Sequence, residues 1–416
     1  MALRTDNIGL LFINGTHETF TPTHSGALAT VIWESCRVGR ARGRSPRVIS
    51  IRGAHGRPFD WDPLTLIDYP WPPANRWLRL PARVGRKLGG YRHLGHAAYC
   101  RRVARAIRAG GFERLPMVLF NDPELAVHLR DRFPGAFIAH WFQNSHDCTE
   151  RFRRRFATAV DRVLAVSDFT GRWVSEFYGF PAGRVHTVYN ATDADHFAPA
   201  PSPPPGKPVI SFVGRTHPVK GPDLLLEAAL RLTEHTREFA VQIIGSNYFE
   251  TFVMDDYQAK LRAQADALRA RGVEVRTPGH VGRAGLPDEL RRAHVHVVPA
   301  RWDEPFGMTS LEGMACGLAT VAARTGGTPE VVGDAALLFD REDVDQLARH
   351  LGRLVADAEL RSEYARRARA RAARFTWAQT WDALTASLGC GVASVEAAPR
   401  AAGDRAAVPT VGGVAV

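Results

Sequence analysis

The sequence RWDEPFGMTSLEGMACGLATVAARTGGTPEVV, from Arg301 to Val332, is the most informative part of the chain. It places two carboxylates, Glu304 and Glu312, around the start of a short predicted helix. The apolar run Ala319–Ala323 follows and is typical of a buried strand of a parallel sheet. Two acids at a helix start in such a setting are suited to holding the hydroxyl groups of a ligand.

A second stretch, VGRTHPVKG from Val213 to Gly221, follows another apolar run. It places Arg215 and Lys220 in a glycine-bounded loop between a predicted strand and a predicted helix. Arginine offers phosphate a planar fork, lysine offers a compact charge, and a helix start adds oriented N–H groups. Two acids for hydroxyl groups and two bases for a diphosphate suit the chemistry of nucleotide sugars. The alternative to a phosphate-binding role is that Arg215 and Lys220 are ordinary solvent-exposed bases of an arginine-rich chain. That interpretation does not explain the flanking glycines.

Together these stretches resemble glycosyltransferase family 4, a retaining family with the GT-B fold. The resemblance covers most of the chain, and further segments carry it in the same order: LAVSDFTGRWVSEFYGFPAGRVHTVYNATDADHF (164–197), VQIIGS (241–246), TPGHVGRAGLPDELRRAHVHVVPA (277–300) and RFTWAQTWDAL (374–384). Any one of them is weak evidence, whereas their joint occurrence is specific. Gly313 and Ala319 depart from the family's usual alanine and proline, but neither is a ligand-binding side chain.

The size and composition are those of a globular protein with two domains. The 416 residues are too many for one ordinary core, and 45% hydrophobic with 23% charged residues excludes a disordered chain. The five cysteines are far apart and odd in number, which argues against a disulfide framework and a zinc site. With no signal peptide or apolar span evident, we expect a cytoplasmic protein, with attachment to the inner membrane face left open.

Short apolar runs alternate with helical patterns in both halves, which predicts an α/β fold with two doubly wound parallel sheets. The predicted strands are Ile8–Ile13, Val48–Ile51, Pro116–Phe120, Ala136–Ala139, Arg162–Ser167, Val209–Val213, Ala240–Ile244, Val273–Thr277, His294–Pro299, Ala319–Ala323 and Ala336–Phe339. By the resemblance, these form two Rossmann-like domains that face each other across a cleft.

The predicted organisation has five parts. They are an acceptor-side Rossmann-like domain (1–197), a proline-rich linker (198–208), a nucleotide-sugar-binding domain (209–375), a helix returning to the first domain (376–388) and a disordered tail (389–416). Since ligands of parallel sheets bind beyond the carboxyl ends of the strands, the loops after the strands should line the cleft.

The resemblance also implies the roles of residues in the second domain. Arg215 and Lys220 would bind the donor pyrophosphate, Glu304 would contact hydroxyls of the transferred sugar, and Glu312 would grip the ribose. The nucleotide base would be contacted near His280 and Val281. The remaining predicted donor contacts, mostly through backbone, are Gly214, Phe306, Gly307, Met308 and Thr309.

The first domain offers fewer signals. Gly26, in the predicted loop before the first helix, would approach the donor phosphate. A histidine near the reacting centre is common in the family, and we assign it to His140, with Gln143 and His146 as alternatives because the loop length leaves the alignment open. His17 and His24 lack a third ligand at metal-binding spacing, so acceptor contact or capping suits them better. Asn190 and Asp193 resemble the family's interdomain turn.

The net charge of +11 is almost entirely arginine, since only four lysines occur. From Tyr69 to Phe112 there are ten Arg or Lys residues and no acid. Apolar residues recur at helical spacing in this basic segment. It could lie on an anionic membrane surface or receive an acidic acceptor. The alternative is a solvated arginine-rich helix that packs on its own domain.

The function that these features predict is a retaining glycosyltransferase. It would use a nucleoside diphosphate sugar, UDP- or GDP-linked, and a hydroxyl acceptor in polysaccharide, glycolipid or natural-product glycoside biosynthesis. No Asp-x-Asp pair follows a strand, so we expect a metal-independent enzyme with no cofactor. The alternatives are a GT-B sugar-nucleotide epimerase, a silent sugar-binding relative, and a basic nucleic-acid-binding protein, which would leave the glutamates unexplained.

Overall fold

The computed structural model describes residues 9–16, 18–22, 26–53, 56–68, 94–146, 148–181, 183–247 and 254–389. His17, His24, positions 69–93 of the basic segment and the tail from 390 onward lie outside the described residues.

The first half of the chain forms a seven-stranded parallel sheet with the order β3-β2-β1-β4-β5-β6-β7. Its strands are β1 (Leu11–Ile13), β2 (Arg47–Ile51), β3 (Leu64–Ile67), β4 (Met117–Phe120), β5 (Ile138–Phe142), β6 (Arg162–Ala165) and β7 (Val185–Thr187). Its helices are α1 (Ala27–Ala41), α2 (Leu94–Ala109), α3 (Pro123–Arg132), α4 (Glu150–Ala159) and α5 (Asp168–Tyr178). Polar side chains fix three helix starts, because Asp122, Thr149 and Ser167 each accept a hydrogen bond from an amide of the first turn.

The second half forms a six-stranded parallel sheet with the order β10-β9-β8-β11-β12-β13. Its strands are β8 (Val209–Val213), β9 (Ala240–Ile244), β10 (Glu274–Gly279), β11 (Val295–Val298), β12 (Ala319–Ala323) and β13 (Ala336–Phe339). Its helices are α6 (Pro222–Leu232), α7 (Asp256–Ala270), α8 (Leu286–Leu290), α9 (Met308–Ala315), α10 (Thr328–Val332), α11 (Val344–Ala356) and α12 (Ala358–Ala372), and α13 (Trp377–Ser387) follows them.

The predicted α/β class with two doubly wound parallel sheets is confirmed. β8, β9, β12 and β13 have the predicted bounds, because each is a short, largely buried apolar run. Two strands were missed, and both give weak sequence signals: three of the four residues of β3 are half-buried, and β7 has only three residues. Positions 198–208 contain neither helix nor strand.

One apolar core joins the two halves. A single cluster of buried side chains includes Phe12 and Trp141 from the first sheet region, and Leu311 and Trp381 from the C-terminal half. α13 lies on α1, where the Trp381 ring is so close to Gly39 that a β-carbon there would meet it at 2.4 Å. Arg42 and Asp382 form an ion pair between the same two helices.

The described part of the basic segment, 94–112, packs on its own domain. On α2, Tyr99, Val103 and Ile107 are fully buried, while Arg101 and Arg105 are exposed. For this part, the apolar face is therefore filled by the protein itself. Over the described residues, no helix is both long enough and apolar enough to cross a membrane.

Candidate functional site

The loop after β8 is held against the sheet by close backbone contacts. Gly221 has a φ of +69°, and a β-carbon there would lie 2.0 Å from the Pro299 carbonyl oxygen at the end of β11. Gly214 has a φ of +153°, and its N–H donates to the Ile244 carbonyl at 3.0 Å. Glycine allows this approach because it has no side chain. The loop therefore lies at the carboxyl ends of β8 and β11, the two central strands of the second sheet.

The two bases of this loop differ in their surroundings. Arg215 is exposed, and its guanidinium makes no hydrogen bond or ion pair with any residue that the structure describes. Lys220 ends a short 3-10 turn, Pro218–Lys220, and its Nζ lies 2.7 Å from Glu304 Oε2. The structure thus brings together Lys220 and Glu304, 84 positions apart in the chain.

A charge network centred on the buried Asp223 supports the turn that carries Lys220. Arg301 donates from its backbone N–H to the Val219 carbonyl at 2.9 Å and from its guanidinium to the Pro218 carbonyl at 2.9 Å. The same guanidinium makes a two-pronged contact with Asp223 at 2.6 and 2.8 Å. Burial alone raises the pKa of Asp223, but hydrogen bonds from Arg301, Lys260 and Tyr257 outweigh it and hold the pKa well below its usual range. Sequence reasoning missed this network, since Asp223 reads only as an acid in a helix's first turn.

The backbone of Glu304 is fixed by two glycines. Gly326 has a φ of +55°, and a β-carbon there would come within 2.2 Å of the Glu304 carbonyl oxygen. The Gly327 N–H donates to that oxygen at 2.7 Å. The pair therefore allows the chain after β12 to lie directly on the Glu304 main chain.

The start of α9 follows immediately. Gly307, with a φ of +89°, caps this helix, and Met308 and Thr309 form its first turn. The Phe306 side chain is buried, with its ring centroid 6.1 Å from that of Tyr189 and 5.9 Å from that of Phe375. A ligand at this position could therefore reach the backbone of Phe306 but not its buried ring.

Glu312 lies on α9 and is only 4% exposed. Its Oε1 accepts a hydrogen bond from Arg283 Nη1 at 2.5 Å. The Arg283 guanidinium in turn lies over the Phe197 ring, 5.0 Å from its centroid. Glu304 and Glu312 are therefore each paired with a basic side chain. The pairing of Glu312 with Arg283 was not predicted from the sequence.

A cavity of about 850 Å³ opens beside the loops that follow β9 and β10. Gly245, Ser246, Gly279 and His280 line it, as do side chains of α7. Val281, the other predicted base contact, is half-buried and packs on the shared apolar core. The cavity is large enough for a ring system the size of a nucleotide base.

In the first domain, the N–H of Gly26 is already engaged. It donates to Glu18 Oε2 at 3.1 Å, and the Ala29 N–H donates to the same oxygen at 3.2 Å. A carboxylate thus occupies the N-terminal end of α1, where the donor phosphate was expected. Burial raises the pKa of Glu18 to about 7, against hydrogen bonds from these amides that lower it.

The ring of His140, which we assigned to the reacting centre, lies in the core of the first domain. Its ring is fully buried on β5, packs on Phe142 and Phe156, and accepts a hydrogen bond from the Asp122 N–H at 3.0 Å. Burial lowers its pKa to about 3, so the ring stays neutral. The reason is strand geometry: alternate residues of a strand point to opposite faces, and His140 points into the core.

The two alternatives lie beyond the end of β5. Gln143 exchanges two hydrogen bonds with the amide of Asn190, at 2.7 and 3.1 Å. His146 lies near Phe142, with the ring centroids 6.3 Å apart. Asn121, with a φ of +49°, accepts from the N–H groups of Gln143 and Asn144 and so shapes this loop.

Asp193 fills a capping role in the turn after β7. Its Oδ1 accepts from the N–H groups of Asp195 and His196, each at 3.1 Å. The Asp193 side chain thus caps the turn that the sequence resemblance placed here.

Among the described residues, one group brings possible metal ligands together: His96, Asp122 and Glu124, with ligand atoms within 4.8 Å of one another. These residues lie on α2 and at the start of α3, whereas the charged side chains predicted to bind the donor, Arg215, Lys220, Glu304 and Glu312, lie in the second domain. His96 Nε2 contacts Asp122 Oδ1 at 3.0 Å, and the same oxygen caps α3.

Comparison with protein families assigns both halves. Residues 28–196 match the model of Glycosyltransferase Family 4, and residues 194–371 match that of Glycosyl transferases group 1. Together the two matches run from 28 to 371.

Several proteins with similar sequences are named D-inositol 3-phosphate glycosyltransferase. The chain is 27% identical to the D-inositol 3-phosphate glycosyltransferase of Nocardiopsis dassonvillei over 62% of each protein. It is 27% identical to that of Thermobifida fusca over 82% of this chain and 78% of the relative. With the enzyme of that name from Mycobacterium bovis, the identity is 34% over 55% of this chain and 48% of the relative. The match thus spans between about half and three quarters of these relatives.

Solved structures share the fold. A glycosyltransferase from Rickettsia africae superposes with a TM-score of 0.69 at 15% identity, covering 90% of this chain and 96% of that one. The Anabaena protein HepE, solved with UDP and glucose, gives 0.67 at 17% identity, covering 91% and 98%. The two sheets therefore have the GT-B arrangement.

Proposed function

The chain belongs to glycosyltransferase family 4 and has the GT-B fold, and on that premise we propose that it is a retaining glycosyltransferase. It would transfer a sugar from a UDP- or GDP-linked donor to a hydroxyl acceptor without a metal ion. The observation that carries the proposal is the contact of Lys220 with Glu304 at 2.7 Å, at the carboxyl ends of the central strands. Arg215, in the same loop as Lys220, makes no ion pair with any residue that the structure describes. An anion site and a hydroxyl-binding acid are thereby adjacent.

The residues support a division of labour at the donor. Arg215 and Lys220 would take the diphosphate, and the amides at Gly307, Met308 and Thr309 would add donors at the start of α9. Glu312 would bind the ribose hydroxyls while keeping its contact with Arg283. The cavity beside His280 would receive the base.

The reaction would break the bond between the anomeric carbon and the phosphate oxygen, with the electron pair leaving on the diphosphate. The acceptor oxygen would form its bond to the same face of that carbon, and its proton would pass to the departing phosphate oxygen. Positive charge at Arg215 and Lys220 stabilises the leaving group, which supplies much of the rate acceleration in such sites. Closure of the domains would exclude water and limit donor hydrolysis.

The acceptor is a hydroxyl compound of polysaccharide, glycolipid or natural-product glycoside biosynthesis, and D-inositol 3-phosphate joins the panel to be tested because the relatives bear that name. We place the enzyme in the cytoplasm, with anionic lipid at the inner membrane face as a surface partner. Because the apolar face of α2 is buried, such contact would use positions 69–93 and the exposed arginines of α2. Flotation with anionic liposomes at low salt tests this, and absence of binding rejects it.

Thermal stabilisation by UDP, GDP, ADP and their sugar conjugates in EDTA tests the donor site. A ligand at 100 times its dissociation constant adds about 2.7 kcal/mol, or a few degrees in Tm for a protein of this size. We expect one nucleotide to stabilise the wild type and Glu312→Ala to lose most of the effect. Glu363→Ala, an exposed acid paired on α12, should keep it. No shift with any nucleotide would reject the transferase, and the anomeric configuration of the product by NMR tests retention.

A further inference from the structure

The carboxylate of Glu304 receives two donors on one oxygen. Trp302 Nε1–H donates to Oε2 at 2.8 Å, and Lys220 Nζ donates to the same oxygen at 2.7 Å. No donor from the described residues reaches Oε1. Both contacts lie at a largely buried acid, since the Glu304 side chain is 13% exposed. The carboxylate is therefore held in one orientation, with one oxygen left for a ligand.

The main chain cannot provide this orientation. The close contacts of Gly326 and Gly327 fix the Glu304 backbone, but the carboxylate can still rotate about the bonds of its side chain. Hydrogen bonds to the carboxylate itself are needed to select one rotamer. A bond to an ionised acceptor is stronger than one between neutral groups, so each of the two donors matters.

The two donors are not equivalent once a donor substrate binds. Lys220 is the lysine that would pair with the diphosphate, so its ammonium must be shared between phosphate and Glu304. The indole N–H of Trp302 carries no charge and has no comparable attraction to phosphate. The proposed diphosphate therefore does not compete with Glu304 for the indole N–H, as it does for the Lys220 ammonium.

The indole ring also bears on Lys220. The Lys220 Nζ lies 4.7 Å from the centroid of the Trp302 ring, which is within the range of a cation–π interaction. Trp302 thus contacts both the base and the acid. This role was not predictable from the sequence, because a tryptophan two positions before Glu304 is typical of an apolar loop residue.

We propose that Trp302 is a positioning residue for the transferred sugar. Its N–H holds Glu304 Oε2 so that Oε1 faces the sugar hydroxyls, and its ring keeps the Lys220 ammonium beside the diphosphate. This proposal rests on the proposed function of the site. It predicts that the indole N–H affects recognition of the sugar, whereas the indole ring affects recognition of the diphosphate.

Trp302→Phe separates the two effects, because phenylalanine keeps an aromatic face and lacks the N–H. We would measure dissociation constants for UDP and UDP-glucose, and for GDP and GDP-mannose, by calorimetry, together with kcat and KM for donor turnover. For the pair that binds, we expect Trp302→Phe to keep the affinity for the nucleoside diphosphate within twofold. The affinity for the sugar conjugate and kcat should each fall about tenfold. Trp302→Ala, which also loses the ring, should weaken the nucleoside diphosphate as well.

Two controls keep the result specific. Trp173→Phe makes the same chemical change at a partly buried tryptophan of α5 and should alter neither binding nor turnover. Adding Trp302→Phe to Glu304→Gln should cost less than it does in the wild type, because the two side chains act through one hydrogen bond.

Three outcomes would contradict the proposal. If Trp302→Phe binds both probes and turns over the donor as the wild type does, the role of Trp302 is rejected and the proposed function stands. An equal loss of affinity for the nucleoside diphosphate and its sugar conjugate would also reject the role of Trp302 alone. A wild type that binds no nucleotide would overturn the proposed function as well, so the two failures are distinguishable. The indole N–H resonance of Trp302 gives a check without ligand, since it should shift in Glu304→Gln, and an unchanged resonance contradicts the hydrogen bond.

Discussion

At the scale of single residues, the site is built from acids whose partners restrict them. Glu304 contacts Lys220 and Trp302, and Glu312 contacts Arg283. Glu18, in the first domain, contacts the N–H groups that begin α1. A buried carboxylate without such partners would carry a large desolvation cost. Each pairing is therefore open to test by removing the partner rather than the acid.

Replacing Arg283 by glutamine should disturb Glu312. The change leaves the Glu312 carboxylate, which is 4% exposed, without its ion-pair partner, so we expect the free energy of unfolding to fall by about 1–2 kcal/mol. The fall should be smaller than for a fully buried ion pair because Arg283 is partly exposed. The affinity for the nucleoside diphosphate should fall about tenfold if Arg283 orients Glu312. Urea unfolding and calorimetry measure the two effects. Arg292→Gln, at an arginine 62% exposed with a 3.8 Å contact to Glu289, is the control and should change neither.

Glu18 predicts a dependence of stability on pH. Burial raises its pKa from 4.5 to about 7, so the folded protein holds the proton more tightly than the unfolded chain. The stability contributed by this group is therefore fully present below pH 4.5 and is lost as the pH rises to about 7. Glu18→Gln keeps an acceptor oxygen for Gly26 and Ala29 but cannot ionise. The Tm difference between variant and wild type should grow in favour of the variant from pH 4.5 to 7 and then level off, by the equivalent of about 1 kcal/mol or more. A difference that does not vary with pH would contradict the raised pKa.

At the scale of elements, the loop after β8 depends on a glycine that touches the neighbouring strand. The β-carbon of an alanine at Gly221 would lie 2.0 Å from the Pro299 carbonyl oxygen, and the φ of +69° disfavours any other residue. The loop would have to move, and Lys220 with it. The glycine at position 221 thus allows the start of α6 to lie against the end of β11.

Gly221→Ala should lower the free energy of unfolding by about 3 kcal/mol or more and reduce nucleotide binding, since the steric clash adds to the backbone strain. Gly272→Ala is matched to it. Gly272 has a φ of +84°, but a β-carbon there would meet nothing within 4 Å. It should cost only about 1 kcal/mol and leave nucleotide binding intact. Equal losses in thermal unfolding would show that the contact with Pro299 is unimportant.

At the scale of the whole molecule, one acid joins the two domains across their interface. Glu330, at α10, accepts from the N–H groups of Asp168 and Phe169 at 3.0 and 3.1 Å, which begin α5 of the first domain. A carboxylate at a helix N-terminus is favoured by the helix dipole. Nearby, a β-carbon on Gly327 would lie 3.0 Å from Ser167 Oγ. The TGGTPE segment (325–330), which supports Glu304, therefore also contacts the first domain.

Glu330→Gln should loosen this junction. Glutamine offers one acceptor oxygen in place of two and no charge, so we expect about 1 kcal/mol less stability. We also expect a larger radius of gyration by small-angle scattering in the absence of nucleotide, because the domains separate more readily. Glu363→Gln on α12, where the acid is 40% exposed, is the control and should leave both unchanged. An unchanged radius of gyration in Glu330→Gln would show that the apolar core alone fixes the domains.

Sequence patterns alone were enough to predict the two parallel sheets, the loops that carry Arg215, Lys220 and Glu304, and the short helix that carries Glu312. The reason is that these features are local: a buried strand appears as a short apolar run, and a loop follows where the run ends. The edge strands β3 and β7 escaped because they are short and half-buried. The family resemblance pointed to the correct fold for the same stretches of chain.

The pairing of side chains became visible only in the folded protein. Trp302 and Arg283 became partners of the two glutamates, Glu18 came to occupy the start of α1, and His140 proved to face the core. Such contacts depend on how strands are ordered in a sheet and on which face of a strand a residue occupies. Both are fixed by packing between segments far apart in the chain, and a single sequence carries no local signal for either.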